Sequence, residues 1–219
     1  MISKFEDITE MLNELEPTLN QKIHLFMIGG GAMLHYKLKS ATKDIDLVTE
    51  NQRDYTEFGQ VLRHAGFVPK IPTLEYSRMR LSQILVRGEF RIDLFHRTVC
   101  NGFSLSKNMK QRAETVYSKG NIALSLCSKE DIFLFKTLTE RDGDLIDCVA
   151  LTERNLNWNT ILAELKNQIK DSNKHVWITW VGETLDKIRE RGIKIPIIKE
   201  IDELRDAYFE ENSRKQLKE

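Results

Sequence analysis

The chain has 219 residues, long enough for one large domain or for a catalytic domain with a smaller companion, and the second arrangement is the expected one. Charged residues make up 30% and hydrophobic ones 41%, a balance that excludes a disordered chain and fits a globular one. Lys plus Arg and Asp plus Glu number 33 each, so a broad non-specific nucleic-acid footprint is excluded while a local basic face is not. Cys100, Cys127 and Cys148 are odd in number and lack C-x-x-C spacing. They read as buried thiols in a reducing cytosol, not as a zinc set. The start M-I-S-K-F-E-D-I-T-E carries acids where a signal peptide would be apolar, and no run nears the roughly 18 apolar residues of a membrane span. A cytoplasmic location with no membrane partner is expected.

In chain order, residues 3–19 place Phe5, Ile8, Met11, Leu12, Leu15 and Leu19 at helical spacing, with Pro17 disturbing the last turn. Ile23 to Ile28 is a short apolar run that predicts a buried strand entering three glycines. Ala32 to Lys39 reads as a helix, Ser40 to Lys43 as a loop, and Asp44 to Thr49 as a second strand that alternates acid and apolar. Asp54 to Ala65 predicts a helix closed by Gly66. Pro69 and Pro72 mark a loop or an edge. Arg78 to Val86 and Glu89 to Phe95 predict a hairpin turning at Arg87 and Gly88, with Asp93 in the middle of its second arm. Thr98 to Lys119 carries no regular pattern. Asn121 to Leu126 predicts one more strand, and Ser128 opens a capped helix from about Lys129 to Glu140. A break at Gly143 and a helix through Leu151 follow, then helices over Trp158 to Ile169, Val176 to Arg191 and Ile197 to about Glu210. Strands give way to helices near residue 127. The expected organisation is therefore an α/β domain over 1–126, with a short mixed sheet flanked by helices, and a helical region over 127–219.

The chemistry gathers in the stretch from Ile28 to Leu47. Gly29, Gly30 and Gly31 let the backbone approach a ligand and leave amide N–H groups for phosphate oxygens at a helix start. Asp44 and Asp46 stand one residue apart, so on a strand both point to one face, where their repulsion calls for a cation. Hard divalent ions such as Mg²⁺ take carboxylate oxygens and keep positions for water and phosphate. Taken singly, each half has a plain alternative: a glycine turn that serves only sterics, and a pair of surface acids.

Together, a strand, a glycine pair and, about a dozen residues later, the block Asp44-Ile45-Asp46-Leu47 resemble the signature of the DNA polymerase β-like nucleotidyltransferase superfamily. The resemblance implies that the glycine turn contacts a nucleoside triphosphate and that the two acids hold Mg²⁺, one ion or two. A third acid on a neighbouring strand completes such sites, and Asp93 in R-I-D-L-F is the candidate; a solvent-facing edge position is its alternative. A narrower likeness is to nucleotidyltransferases of the AbiEii/AbiGii type, known from toxin and abortive-infection systems. Its bearers are G-G-G-A at Gly29 to Ala32, T-K-D-I-D-L at Thr42 to Leu47, and Lys136, Arg141, Asp144 and Asp147 at the offsets of a second motif. That likeness assigns Lys136, and with it Arg141, to the triphosphate, although Arg141 could instead pair with Asp144 or Asp147. A lysine in the apolar run I-F-L-F-K-T-L could also simply snorkel from a packed face.

Two positions depart from the pattern: Ser40 stands where an arginine is usual, and Gly143 where a lysine is. The implied activity is transfer of an NMP from an NTP to a hydroxyl acceptor. The acceptor would be an RNA 3′ end such as that of tRNA, a protein hydroxyl, or a small molecule of the antibiotic type. A cognate toxin or antitoxin would be a partner. The competing expectation is a non-catalytic relative that binds a nucleotide or a partner protein. The five histidines show no metal spacing, and His96, just beyond Asp93, is the one nearest the proposed site in sequence.

Overall fold

The computed structural model describes residues 1–71, 83–139 and 141–216, and the chain divides into two compact units, Met1–Ser128 and Lys129–Glu219. In the first unit the described residues form a seven-stranded mixed sheet. Its strands are β1 (Ile23–Ile28), β2 (Ile45–Thr49), β3 (Val68–Pro69), β4 (Gln83–Arg87), β5 (Phe90–His96), β6 (Glu114–Lys119) and β7 (Ile122–Leu126), in the order β3-β4-β5-β2-β1-β7-β6. Pairs β1/β7 and β2/β5 are parallel; β1/β2, β3/β4, β4/β5 and β6/β7 are antiparallel. The α/β class with a short mixed sheet is as the sequence predicts. The early part of the first predicted hairpin arm, Arg78 to Ser82, and Pro72 lie outside the described residues.

Side-chain alternation divides the sheet into two faces. Leu25, Met27, Ile45, Leu47, Ile92 and Leu94 share one face and are fully buried. Two helices hold that face: α1 (Phe5–Leu15), which buries Ile8, Met11, Leu12 and Leu15, and α3 (Gln52–His64), which buries Phe58, Val61 and Leu62. Each is pinned by polar contacts at the sheet margin. Arg87 donates to Glu14 of α1 at 2.5 and 2.7 Å, Tyr117 donates to Asn13 at 2.9 Å, and Arg63 of α3 donates to Gln83 at 2.6 Å. The start of α3 is capped, because the Asp54 N–H donates to Asn51 Oδ1 at 2.8 Å. The opposite face, at β2 and β5, carries Asp46, Arg91 and Asp93.

Three elements escape the sequence pattern. The short helix α2 spans Gly29–His35, so the three glycines form its first turn and do not precede it, and it ends before Lys39. In the irregular stretch, α4 (Lys107–Arg112) and the edge strand β6 appear, and Lys110 of α4 pairs with Glu50 at the end of β2. The second unit is helical: α5 (Lys129–Thr137), α6 (Asp142–Thr152), α7 (Trp158–Ser172), α8 (Trp177–Arg189) and α9 (Ile198–Gln216). Ile132, Phe133, Cys148, Leu151, Ile161, Leu165, Trp177, Val181 and Leu185 form its core. Cys100, Cys127 and Cys148 are buried free thiols. No helix among the described residues is long and apolar enough to cross a membrane.

Candidate active site

The glycine turn and the first acids are built as one piece. Ile28 is extended and serves as the N-cap of α2, with no side chain capping the helix. Gly29 then turns to φ +63°, and a Cβ there would lie 2.0 Å from Oδ2 of Asp46. Only a glycine therefore lets the Asp46 carboxylate lie against the main chain at this turn. Gly30 meets a second constraint, since its Cβ would fall 2.3 Å from Oγ1 of Thr42. Thr42 is buried, and its hydroxyl donates to the carbonyl oxygen of Asp44 at 2.9 Å. Its backbone exchanges two hydrogen bonds with Ile2, at 2.9 and 2.8 Å. The loop that delivers Asp44 is thus fixed by its own threonine, by a glycine of α2 and by the N-terminal segment.

Asp44 lies immediately before β2 and Asp46 within it, both half-buried. In the antiparallel register Asp46 faces Ile28, and in the parallel register it faces Asp93 of β5. Residues in register on parallel strands share a face, so the pairing sets the two carboxylates on adjacent strands of one surface. Asp93 is only 2% exposed and sits in a central strand, not at an edge. Both of its oxygens are engaged by Arg91: Nε donates to Oδ1 and Nη2 to Oδ2, each at 2.8 Å. Two residues apart on one strand, the pair necessarily shares a face. A bidentate guanidinium is among the stronger partners a carboxylate can have.

These residues match a divalent cation in donor chemistry, because all three are carboxylates and hard ions prefer oxygen. Among the described residues, however, no group of three or more His, Cys, Asp or Glu side chains is drawn together closely enough to hold a metal. At Asp93 the positive charge is supplied by Arg91. His96, further along the same strand, faces Thr49 in the register, and its ring packs 6.0 Å from that of Tyr55.

Lys136 and Arg141 belong to the helical unit. Lys136 is 7% exposed, and its ammonium lies 2.8 Å from Asp144 Oδ1 and 2.6 Å from Asp147 Oδ2. Asp144 and Asp147 are three residues apart and so present to one side of α6. Arg141 Nε donates to the other oxygen of Asp144 at 2.7 Å. Burial opposes the charge on Lys136, but Asp144 and Asp147 outweigh it and leave the pKa above the usual lysine range. Burial likewise opposes the charge on Asp144, and Lys136 and Arg141 outweigh it and hold that carboxyl below its usual range. The alternative of Arg141 as a partner of Asp144 is what the structure contains.

Two residues of the site were not singled out by sequence. Arg91 stands in plain view in R-I-D-L-F, and its signal was the same two-residue spacing that paired Asp44 with Asp46. Thr42 lay inside the T-K-D-I-D-L block, but nothing in a sequence shows that its hydroxyl turns back to the Asp44 carbonyl.

Comparison with known proteins adds one firm result. Residues 3–179 match the family described as nucleotidyltransferase of unknown function (DUF6036). No curated protein matches the chain in sequence. Among solved structures, the chain is similar to the solution structure of the antibiotic-resistance factor ANT(2'')-Ia, with a TM-score of 0.42 and 12% identity over 96% of this chain and 94% of that one. It is also similar to the crystal structure of ANT(2'')-Ia in complex with adenylyl-2''-tobramycin, with a TM-score of 0.41 and 11% identity over 85% of this chain and 98% of that one. At these values the likeness bears on neither substrate nor mechanism.

Proposed function

The chain belongs to that family of nucleotidyltransferases, and from this premise we propose that it transfers an NMP from an NTP to a hydroxyl on RNA, such as the 3′ end of a tRNA, or on a protein. The observation that supports this site is the register: Asp46 of β2 opposite Asp93 of β5, with the Asp46 carboxylate seated on the Gly29 turn. In the reaction the acceptor oxygen bonds to the α-phosphorus, the bond from that phosphorus to the bridging oxygen breaks, and pyrophosphate leaves. Asp93 receives the proton of the acceptor hydroxyl. The amides of Gly30 and Gly31, in the uncapped first turn of α2, orient phosphate oxygens. Asp44, Asp46 and Asp93 are the residues that would hold Mg²⁺, as one ion or two. When bound, Mg²⁺ supplies positive charge against the phosphates and lowers the pKa of the attacking hydroxyl.

Lys136 and Arg141 are the cations that the sequence likeness assigns to the triphosphate. Each already neutralises carboxylates of α6, so engaging a nucleotide would exchange one set of oxygens for another. A role in a toxin-antitoxin or phage-defence system, with a cognate protein partner, is the matching proposal for biology. Co-purification of the tagged chain from its native host tests it.

The deciding experiment incubates the chain with each α-labelled NTP, Mg²⁺, total RNA and cell lysate. Label should enter RNA or protein in the wild type, and Asp46→Asn should abolish it without altering the thermal melt. Label passing into a small-molecule fraction would move the acceptor to that class. Undiminished incorporation by Asp46→Asn would remove the site.

A further inference from the structure

Arg91 does something that a nucleotide-transferring site does not obviously need: it places a fixed cation on the third carboxylate. The guanidinium meets Asp93 along both oxygens at 2.8 Å, and these are the outward lone pairs that a divalent ion would also take. Neither partner can leave this arrangement cheaply. The Asp93 side chain is 3% exposed and that of Arg91 is 19% exposed, and a buried carboxylate stripped of its partner is strongly destabilising. The strand keeps the pair together, since two-residue spacing on β5 holds Arg91 on the face of Asp93 in any rotamer. The same face carries Asp46 in register with Asp93.

Resting on the proposed function above, we infer that Arg91 is a built-in counter-ion that occupies Asp93 in the resting chain and competes with the divalent ion for it. Asp93 then exchanges one cation for another as the site loads, and the carboxylate is never left bare in a buried strand. The exchange makes metal occupancy conditional: an ion held only by Asp44 and Asp46 must displace a guanidinium before it gains its third ligand. Arg91 is thus a positioning residue whose effect appears in metal affinity before any chemistry occurs.

The test reads Mn²⁺ binding by electron paramagnetic resonance in the full-length chain, without nucleotide, for the wild type, Arg91→Met, Arg91→Lys and Asp46→Asn. Arg91→Met should bind Mn²⁺ about tenfold more tightly, the order of effect for removing one like charge a few ångströms from the ion in a partly screened site. Arg91→Lys, which keeps the charge but loses the fork, should fall between. In a chelator the Arg91→Met chain should melt below the wild type, and Mn²⁺ should raise its melting temperature more than it raises that of the wild type. Should Arg91→Met not fold, the wild type still decides: its Arg91 Nε–Hε resonance, assigned by its absence in Arg91→Lys, should shift on saturation with Mg²⁺, and an unmoved resonance overturns the inference. Mn²⁺ binding that is lost in Asp46→Asn yet unchanged or weakened in Arg91→Met overturns the role of Arg91 and leaves the site intact. Absence of Mn²⁺ binding in the wild type and in both Arg91 variants overturns the metal-dependent reading itself, and with it the exchange.

Discussion

At Gly29 a backbone conformation and the seat of the Asp46 carboxylate are one requirement. The positive φ alone would cost an alanine about 1 kcal/mol, as it would at other such positions. Gly88, in the turn between β4 and β5, also has a positive φ of +57°, but a Cβ there meets nothing within 4 Å. The two glycines therefore separate strain from collision. Gly88→Ala should lower stability by about 1 kcal/mol and leave nucleotidyl transfer unchanged. Gly29→Ala carries the same strain and also drives a Cβ into the Asp46 carboxylate, which has to move. With Asp46 in the proposed role, it should lose at least about tenfold in transfer rate, since small displacements of a reacting group are costly, and about 1–3 kcal/mol in stability. Urea melts and incorporation rates for both variants check this. Equal transfer by the two would mean that the seat of Asp46 on the turn has no catalytic weight.

Between elements, α5 and α6 are joined by a buried ion cluster. Lys136 reaches across to two carboxylates, and removing one partner of a buried ion pair costs about 3–5 kcal/mol. Lys136→Met should lose about that much, and combining it with Asp144→Asn and Asp147→Asn should recover a large part. The loss should also depend on pH in a definite way. The folded-state pKa of Asp144 lies below its ordinary value of 3.8, so its contribution is present above that value and disappears as pH falls through the lowered one. The folded-state pKa of Lys136 lies above its ordinary value of 10.5, so its contribution is present below that value and disappears as pH rises through the raised one. The gap in unfolding free energy between wild type and Lys136→Met should therefore be flat from about pH 5 to pH 9 and close in stronger acid and stronger base. If Lys136 instead serves mainly the triphosphate, the variant melts like the wild type and its KM for NTP rises.

The same elements show which physical signals a sequence carries. The apolar runs of β1, β2, β5 and β7 are legible because a buried strand needs side chains of that kind on consecutive or alternate positions. β6 is not, because E-T-V-Y-S-K is an edge strand with no fully buried residue and needs no apolar alternation. α4 buries only Met109 in its six residues, too short a helix for periodicity to register. The start of α2 is hidden in the sequence because glycine has a low helix propensity, and the fold overrides it by needing a bare backbone at Gly29 and Gly30. Asp44 and Asp46 announce themselves by spacing within one strand. The partners of Lys136 and the register of Asp46 with Asp93 arise between elements, where spacing along the chain is silent.

For the whole molecule the telling quantity is the absence of net charge, with 33 basic and 33 acidic side chains. Non-specific affinity for nucleic acid comes almost entirely from cations that neutralise phosphates and release counterions. A chain without a positive surplus lacks that general attraction, so if RNA is the acceptor, recognition must rest on a few local contacts near its end. Two consequences can be measured by fluorescence anisotropy. Labelled poly(U) should show no saturable binding up to about 100 µM protein at roughly 0.15 M salt, at the weak limit of non-specific binders. A true acceptor tRNA should bind more tightly, with a shallow salt dependence: two to four phosphate contacts on a single-stranded end give a slope of about −1.4 to −2.8 in log K against log salt. A slope several times steeper, equal for tRNA and poly(U), would reveal an extended basic face and a binding mode indifferent to the RNA end. Tight binding to neither RNA, together with label appearing in protein, would place the acceptor hydroxyl on a polypeptide, where a neutral surface carries no electrostatic penalty against acidic and basic partners alike.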